Sequence, residues 1–277
     1  MKNGLLTKRI PTLLGVVVLL VGLATGVFLV GRQQLLGTQA GPTSLPRNVK
    51  IVNRGSNSLT VTWISDVPVT GFVKYSDNPA RLTLPAGDAR DQISGNTNQY
   101  TTHFVDINGL TADKTYYFEI GSGSQTYNDG GKPYQVRTAP SGAVPAEDVT
   151  SGKILNVSNT GMGGALVYVD ITGAETLGAL TKNDGTFRLA LSNARDSAGK
   201  FVTYDKAKEN VTIFVQAGGA GTATALTNTA TDNPVPDITL GKTHNFAGGE
   251  IVPETVSSLS SGSNTATSSG FANISDT

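Results

Sequence analysis

Ser58-Leu59-Thr60-Val61-Thr62-Trp63 decides how the chain is read, because polar and apolar residues alternate along it one by one. A period of two puts Leu59, Val61 and Trp63 on one face and Thr60 and Thr62 on the other, the pattern of a half-buried antiparallel strand. The same rhythm precedes it at Val49 and Ile51. It returns in GFVKYS (Gly71–Ser76), THFVDI (Thr102–Ile107), TYYFEI (Thr115–Ile120) and YQVRT (Tyr134–Thr138). Asn108-Gly109 and Asn128-Asp129-Gly130-Gly131 supply turns between these runs. About seven short strands in roughly a hundred residues predict a sandwich of two sheets. Trp63, Tyr116, Phe118 and Ile120 then share the inner face. His103 joins that face or its edge with Val105 and Ile107, and Tyr117 points outward beside Glu119.

Residues 44–140 resemble a fibronectin type III domain, particularly the kind found at the N-terminus of purple acid phosphatases and in bacterial surface proteins. The likeness rests on Trp63 in VTWISD, on GFVKYS, and on GLTADKTYYFEI, where Leu110 and Tyr116 match the family's leucine and corner tyrosine. The resemblance implies that the Tyr116 hydroxyl bonds back to backbone near the preceding turn. Ala112 stands where the family usually has proline, which weakens a turn.

Ser141–Asp148 (SGAVPAED) has no periodicity and reads as a short extended linker. Beyond it, GKILN, GGALVYVDI, VTIFVQA, ATALTN and PDITLG predict further strands. ALTKNDGTFRLAL (Ala179–Leu191) predicts two strands joined in a tight hairpin at Asn183-Asp184-Gly185. Gly164, Ala165, Val167, Val169, Thr181, Asp184, Gly185, Phe187 and Leu189 resemble a carboxypeptidase regulatory-like domain, the prealbumin-like sandwich also used in collagen-adhesin B-type repeats. SNARDSAGKFVTYDKAKEN departs from that pattern as a longer polar insertion. The resemblance implies a spacer, stalk or adhesive unit across residues 149–246.

Localisation is read from the N-terminus. Pro11–Val30 runs PTLLGVVVLLVGLATGVFLV without an ionisable side chain. At about 1.5 Å rise per residue this spans a hydrocarbon layer ~30 Å thick. Lys2, Lys8 and Arg9 precede it and only Arg32 follows closely, so the positive-inside bias leaves the N-terminus in the cytoplasm. A cleavable signal peptide is the competing reading, with small residues at Gly22 and Ala24 or at Thr38 and Ala40; its apolar core is usually shorter, ~7–15 residues. Either reading exports the rest. The prepilin alternative lacks a Glu soon after Gly15, Gly22 or Gly26.

The expected organisation is all-β: two tandem β-sandwiches, immunoglobulin-like and prealbumin-like, after one N-terminal transmembrane helix. Its boundaries are a basic cytoplasmic N-terminus (1–9), the transmembrane signal anchor (10–31), a linker (32–43), the fibronectin type III-like domain (44–140), a linker (141–148), the second sandwich (149–246) and a Ser/Thr-rich tail (247–277). That tail is nearly uncharged and poor in large apolar residues, so disorder is expected. It shows no LPxTG-like sorting motif.

Composition excludes several chemistries. The 21 basic and 21 acidic residues cancel and are interspersed, so the counterion-release term that drives nucleic-acid binding is missing and no nucleic-acid partner is expected. No cysteine supplies a thiol nucleophile, a disulfide or a thiolate metal site. His103 and His244 lie far apart in sequence and outside any HxH or HExxH setting. Asn183, Asp184 and Asp196 lack the alternating oxygen run of a calcium loop. No GxSxG elbow occurs. Lys153 with Asp237 or Asn245, and Glu175 as the acid, would suit an interstrand isopeptide if Lys153 were buried, but a solvated lysine is the simpler reading. Asn156, Asn210 and Asn273 begin glycosylation sequons that a Ser/Thr-rich chain also produces by chance.

Sequence reading therefore expects no enzyme, no catalytic or metal residues and no cofactor. It expects a membrane-anchored extracellular protein for adhesion, surface architecture or protein or glycan interaction, with the lipid bilayer as partner through the N-terminal helix. The alternatives are a carbohydrate- or peptide-binding receptor using Asn78–Asn98 or Asn193–Asn210, and an accessory subunit of a secreted hydrolase.

Overall fold

The computed structural model describes residues 43–248. The expected membrane span over residues 10–31 and residues 249–277 of the expected tail lie outside them. Among the described residues no helix is long and apolar enough to cross a membrane.

The first half holds β1 (Arg47–Val52), β2 (Ser58–Val69), β3 (Gly71–Ser76), β4 (Leu84–Gly87), the short helix α1 (Ala89–Ser94), β5 (Tyr100–Asn108), β6 (Thr115–Ser122), β7 (Gln125–Tyr127) and β8 (Tyr134–Arg137). One sheet is ordered β1-β2-β5; the other is β4-β3-β6-β7, with β8 also paired to β6. Between them lies a core of Leu59, Val61, Trp63, Val73, Val105, Ile107, Phe118 and Ile120, each at most 2% exposed. Burying a side chain of this size stabilises by roughly 1.5–3 kcal/mol. The alternation in β2 thus fills one sandwich with its odd-numbered residues. The Tyr116 hydroxyl accepts from the Thr111 N–H at 3.0 Å, closing the tyrosine corner.

The second half holds β9 (Val149–Leu155), β10 (Leu166–Ile171), β11 (Leu177–Leu180), β12 (Thr186–Ala190), β13 (Asn210–Gln216), β14 (Thr222–Asn228), β15 (Ile238–Thr239) and β16 (Thr243–Asn245). The sheets are β11-β10-β13-β14-β16 and β12-β9-β15. Here β16 runs parallel to β14 and β15 parallel to β9. Ile154, Val167, Val169, Phe187, Leu191, Ile213 and Ile238 fill the space between the sheets.

The expected hairpin around Asp184-Gly185 is not one. The turn itself forms, with the Gly185 N–H donating to the Lys182 carbonyl and Gly185 at φ 83°. Its flanking strands part company, β11 pairing with β10 and β12 with β9. Turn chemistry specifies the reversal, whereas the sheet each strand joins depends on which neighbours complete its core face.

The two sandwiches meet along a seam built from the outer face of β1-β2-β5 and the outer face of β10, β11 and β13. Val52, Phe104, Leu166 and Tyr168 are buried there together, flanked by Ile64, Ala89, Leu180 and Phe214. Both faces of β2 and β10 are therefore covered. Thr60 and Thr62, expected to face away from the core, are 2% and 0% exposed.

Candidate functional site

The polar residues that line and flank this seam form a side-chain network that joins the two sandwiches. At its centre the Thr62 and Tyr168 hydroxyls meet at 2.9 Å, and burial pushes the Tyr168 phenol up to about 12. Asn53 lies beyond the end of β1 with φ 54°. Its amide donates to the Gly178 carbonyl at 2.9 Å and accepts the Gly178 N–H at 2.8 Å. Gly178 is on β11, an edge strand, so one side chain of the first sandwich satisfies backbone groups that an edge leaves open.

Arg54 follows with a fork of donors. Its Nε meets the Glu175 carboxylate at 2.7 Å, and its Nη2 donates to the carbonyls of Asp196 at 3.1 Å and Ser197 at 2.9 Å. The polar insertion after Leu191 is thereby drawn into the seam. A planar guanidinium suits this task, offering several donors in fixed directions to acceptors from one neighbouring surface.

At the other end lies a charged cluster around α1. Asp88 caps the helix and is fully buried. Its carboxylate accepts from Arg90 N at 3.1 Å, Arg90 Nε at 2.8 Å, Arg90 Nη2 at 2.9 Å and Phe104 N at 3.1 Å. Arg90 also donates to the Thr102 carbonyl and lies 3.4 Å over the Tyr100 ring. Thr102 Oγ1 crosses the seam to the Gly164 carbonyl at 2.6 Å. Arg90, Tyr100, Thr101 and Thr102 face Gly163 and Gly164 across an open cleft of ≈ 280 Å³. The bidentate Asp88 neutralises the guanidinium, so the cleft offers hydroxyls and backbone rather than an uncompensated charge.

Behind the cluster, His103 is fully buried and stacked on Trp63, ring centroids 4.6 Å apart. Its Nδ1 lies 3.9 Å from Asp88 Oδ2 and, with Trp63 Nε1, has no hydrogen-bond partner among the described residues. Any side chain at Gly71 would collide with the imidazole. Burial holds His103 down at about 4, against an opposing pull from Asp88.

The other residues weighed from sequence are dispersed. His244 sits in β16, accepting the Thr239 N–H at 3.0 Å and stacking on Phe246. Lys153 is half-buried on β9 opposite Thr186; Asp237 is exposed, and Asn245 belongs to the other sheet. Glu175 is engaged by Arg54 rather than by Lys153. The Asp184 carboxylate accepts both the N–H and the hydroxyl of Thr186, which lowers its pKa. Among the described residues no group of three or more His, Asp or Glu could hold a metal ion. Asn78–Asn98 contributes Asp88 and Arg90 to the cluster, and Asn193–Asn210 contributes the carbonyls that Arg54 engages.

Comparison with known proteins bears on the first sandwich. Residues 46–138 match the model of the purple acid phosphatase N-terminal domain. The first sandwich is fibronectin type III-like. The match covers about a third of the chain. Among solved structures, PhoD is similar at 12% identity and TM-score 0.27 over 41% of this chain, which spans only 22% of the PhoD chain. The FN1-FN3 domains of chicken CNTN1 are similar at 15% identity and TM-score 0.25, over 74% of this chain and 68% of theirs. No curated protein matches.

Proposed function

We propose that the chain is a non-enzymatic, single-pass surface protein, anchored by residues 10–31 with its N-terminus in the cytoplasm. It displays two β-sandwiches outside the cell for adhesion, envelope architecture or contact with surface proteins or glycans. The second sandwich is of the carboxypeptidase regulatory-like, prealbumin-like kind. The observation that carries the reading is the seam: Asn53, Arg54, Thr62 and Thr102 fasten the sandwiches to each other, which suits modules presented together as one unit. The uncharged run from Pro11 to Val30 supports the anchor.

Protease shaving of intact cells, followed by peptide mapping, tests this reading. Peptides from 43–248 released into the medium, with 1–31 retained in the membrane fraction, support it. Full protection of 43–248 in intact cells, lost on lysis, contradicts it. A second reading, an accessory subunit of a hydrolase, draws on the phosphatase-type match of residues 46–138. Co-purification of a hydrolase from solubilised membranes would favour that reading.

A further inference from the structure

His103 belongs to the core of the first sandwich, yet both its chain neighbours serve the seam. Thr102 donates to Gly164 of the second sandwich, and Phe104 contributes its ring to the buried cluster with Leu166 and Tyr168. The Phe104 N–H is held by Asp88, and Asp88 also fixes Arg90, whose guanidinium is bonded to the Thr102 carbonyl and lies against Gly164. One carboxylate thus supports the contacts on either side of one imidazole. We propose that His103, Asp88 and Arg90 form an acid-sensitive latch on the seam: the neutral imidazole leaves Asp88 to hold Arg90 and β5 against the second sandwich, and protonation releases them.

The geometry dictates the direction. The groups facing His103 are Asp88, Arg90 and Asp91 from the helix and its cap, Tyr100 from β5, the uncharged Trp63 and Ser65 from β2, and the backbone of Gly71 from β3. The unpartnered Nδ1 lies 3.9 Å from Asp88 Oδ2, too long for a hydrogen bond. An imidazolium in that place competes with Arg90 and Phe104 for Asp88, or leaves the core for water. Either movement displaces the residues that touch Gly164 and Leu166. A solvent-reaching imidazole titrates near its ordinary 6.5 and the buried one at about 4. The open form therefore takes up a proton first as pH falls. The closed seam is unaffected above 6.5 and loses ground between 6.5 and 4, by up to roughly tenfold in the open-to-closed ratio per pH unit.

The full chain contains no cysteine, so exposed Thr126→Cys and Ser158→Cys place one donor and one acceptor dye in the two sandwiches without background labelling. Energy transfer is followed from pH 7.5 to 3.5, with the His103 and His244 ring resonances followed by NMR in the same chain. The latch predicts a constant distance above pH 6.5 and a change that tracks His103 while far-UV circular dichroism, which reports the strands, stays native. His103→Gln, which carries no titrating ring, should hold the closed distance at pH 4. The proposal is overturned by a distance that stays fixed while His103 titrates, or by a change tracking His244 or global unfolding. A transition that survives in H103Q overturns it too. If H103Q does not fold, the coincidence of distance and His103 titration in the unsubstituted ring decides.

Discussion

The hydroxyls of Thr62 and Tyr168, 106 positions apart in sequence, meet at 2.9 Å where both side chains are sealed from water. Thr62 stands on the outward face of a strand whose other face fills the first core, and Tyr168 does the same for the second. Their contact turns two outer sheet faces into an interior. Each hydroxyl is the other's partner, so neither tolerates the loss of the other.

Tyr168→Phe should therefore destabilise the protein by about 1–3 kcal/mol, because it strands the buried Thr62 hydroxyl, and Thr62→Val should do the same to Tyr168. The double variant should cost less than the sum of the two. Urea unfolding of the four proteins reads the coupling directly; additive effects would show that the hydroxyls do not depend on each other.

Asn53 combines a left-handed backbone with a side chain that engages Gly178. Asn53→Gly keeps the first and deletes the second, since glycine adopts φ 54° freely. The expected loss is about 1–3 kcal/mol, with faster hydrogen exchange at the Gly178 amide. An amide as protected in the variant as in the parent chain would rule out Asn53 as its partner.

Much of the first sandwich was legible in sequence because alternation reports a core face directly. Trp63, Phe118 and Ile120 lie where their spacing put them, and Tyr116 forms its corner. The seam was harder to read. Thr60 and Thr62 are equally suited to water and to a polar interface, so their burial depends on a surface supplied from elsewhere. Arg54 and Glu175 carry no local pattern linking positions 121 residues apart. One signal was present in Ala165-Leu-Val-Tyr-Val169, an unbroken apolar run that denotes a strand covered on both faces rather than one. The Asp184-Gly185 turn shows the complementary limit, since a local motif specified the bend but not the partners of its strands.

The tyrosine corner offers a control within a single sandwich. Tyr116→Phe removes the acceptor for Thr111 N while keeping the ring in the core. A loss of about 1 kcal/mol is expected in urea unfolding. The distance between dyes at positions 126 and 158 should not change at neutral pH. A changed distance would mean that the corner also sets the seam.

Differential scanning calorimetry of the full chain at neutral pH tests most directly whether the sandwiches act as one body. The seam predicts one transition whose calorimetric and van't Hoff enthalpies agree, shifted as a whole to lower temperature by Arg54→Ala. Two separate transitions, with Arg54→Ala moving only one or neither, would contradict the account.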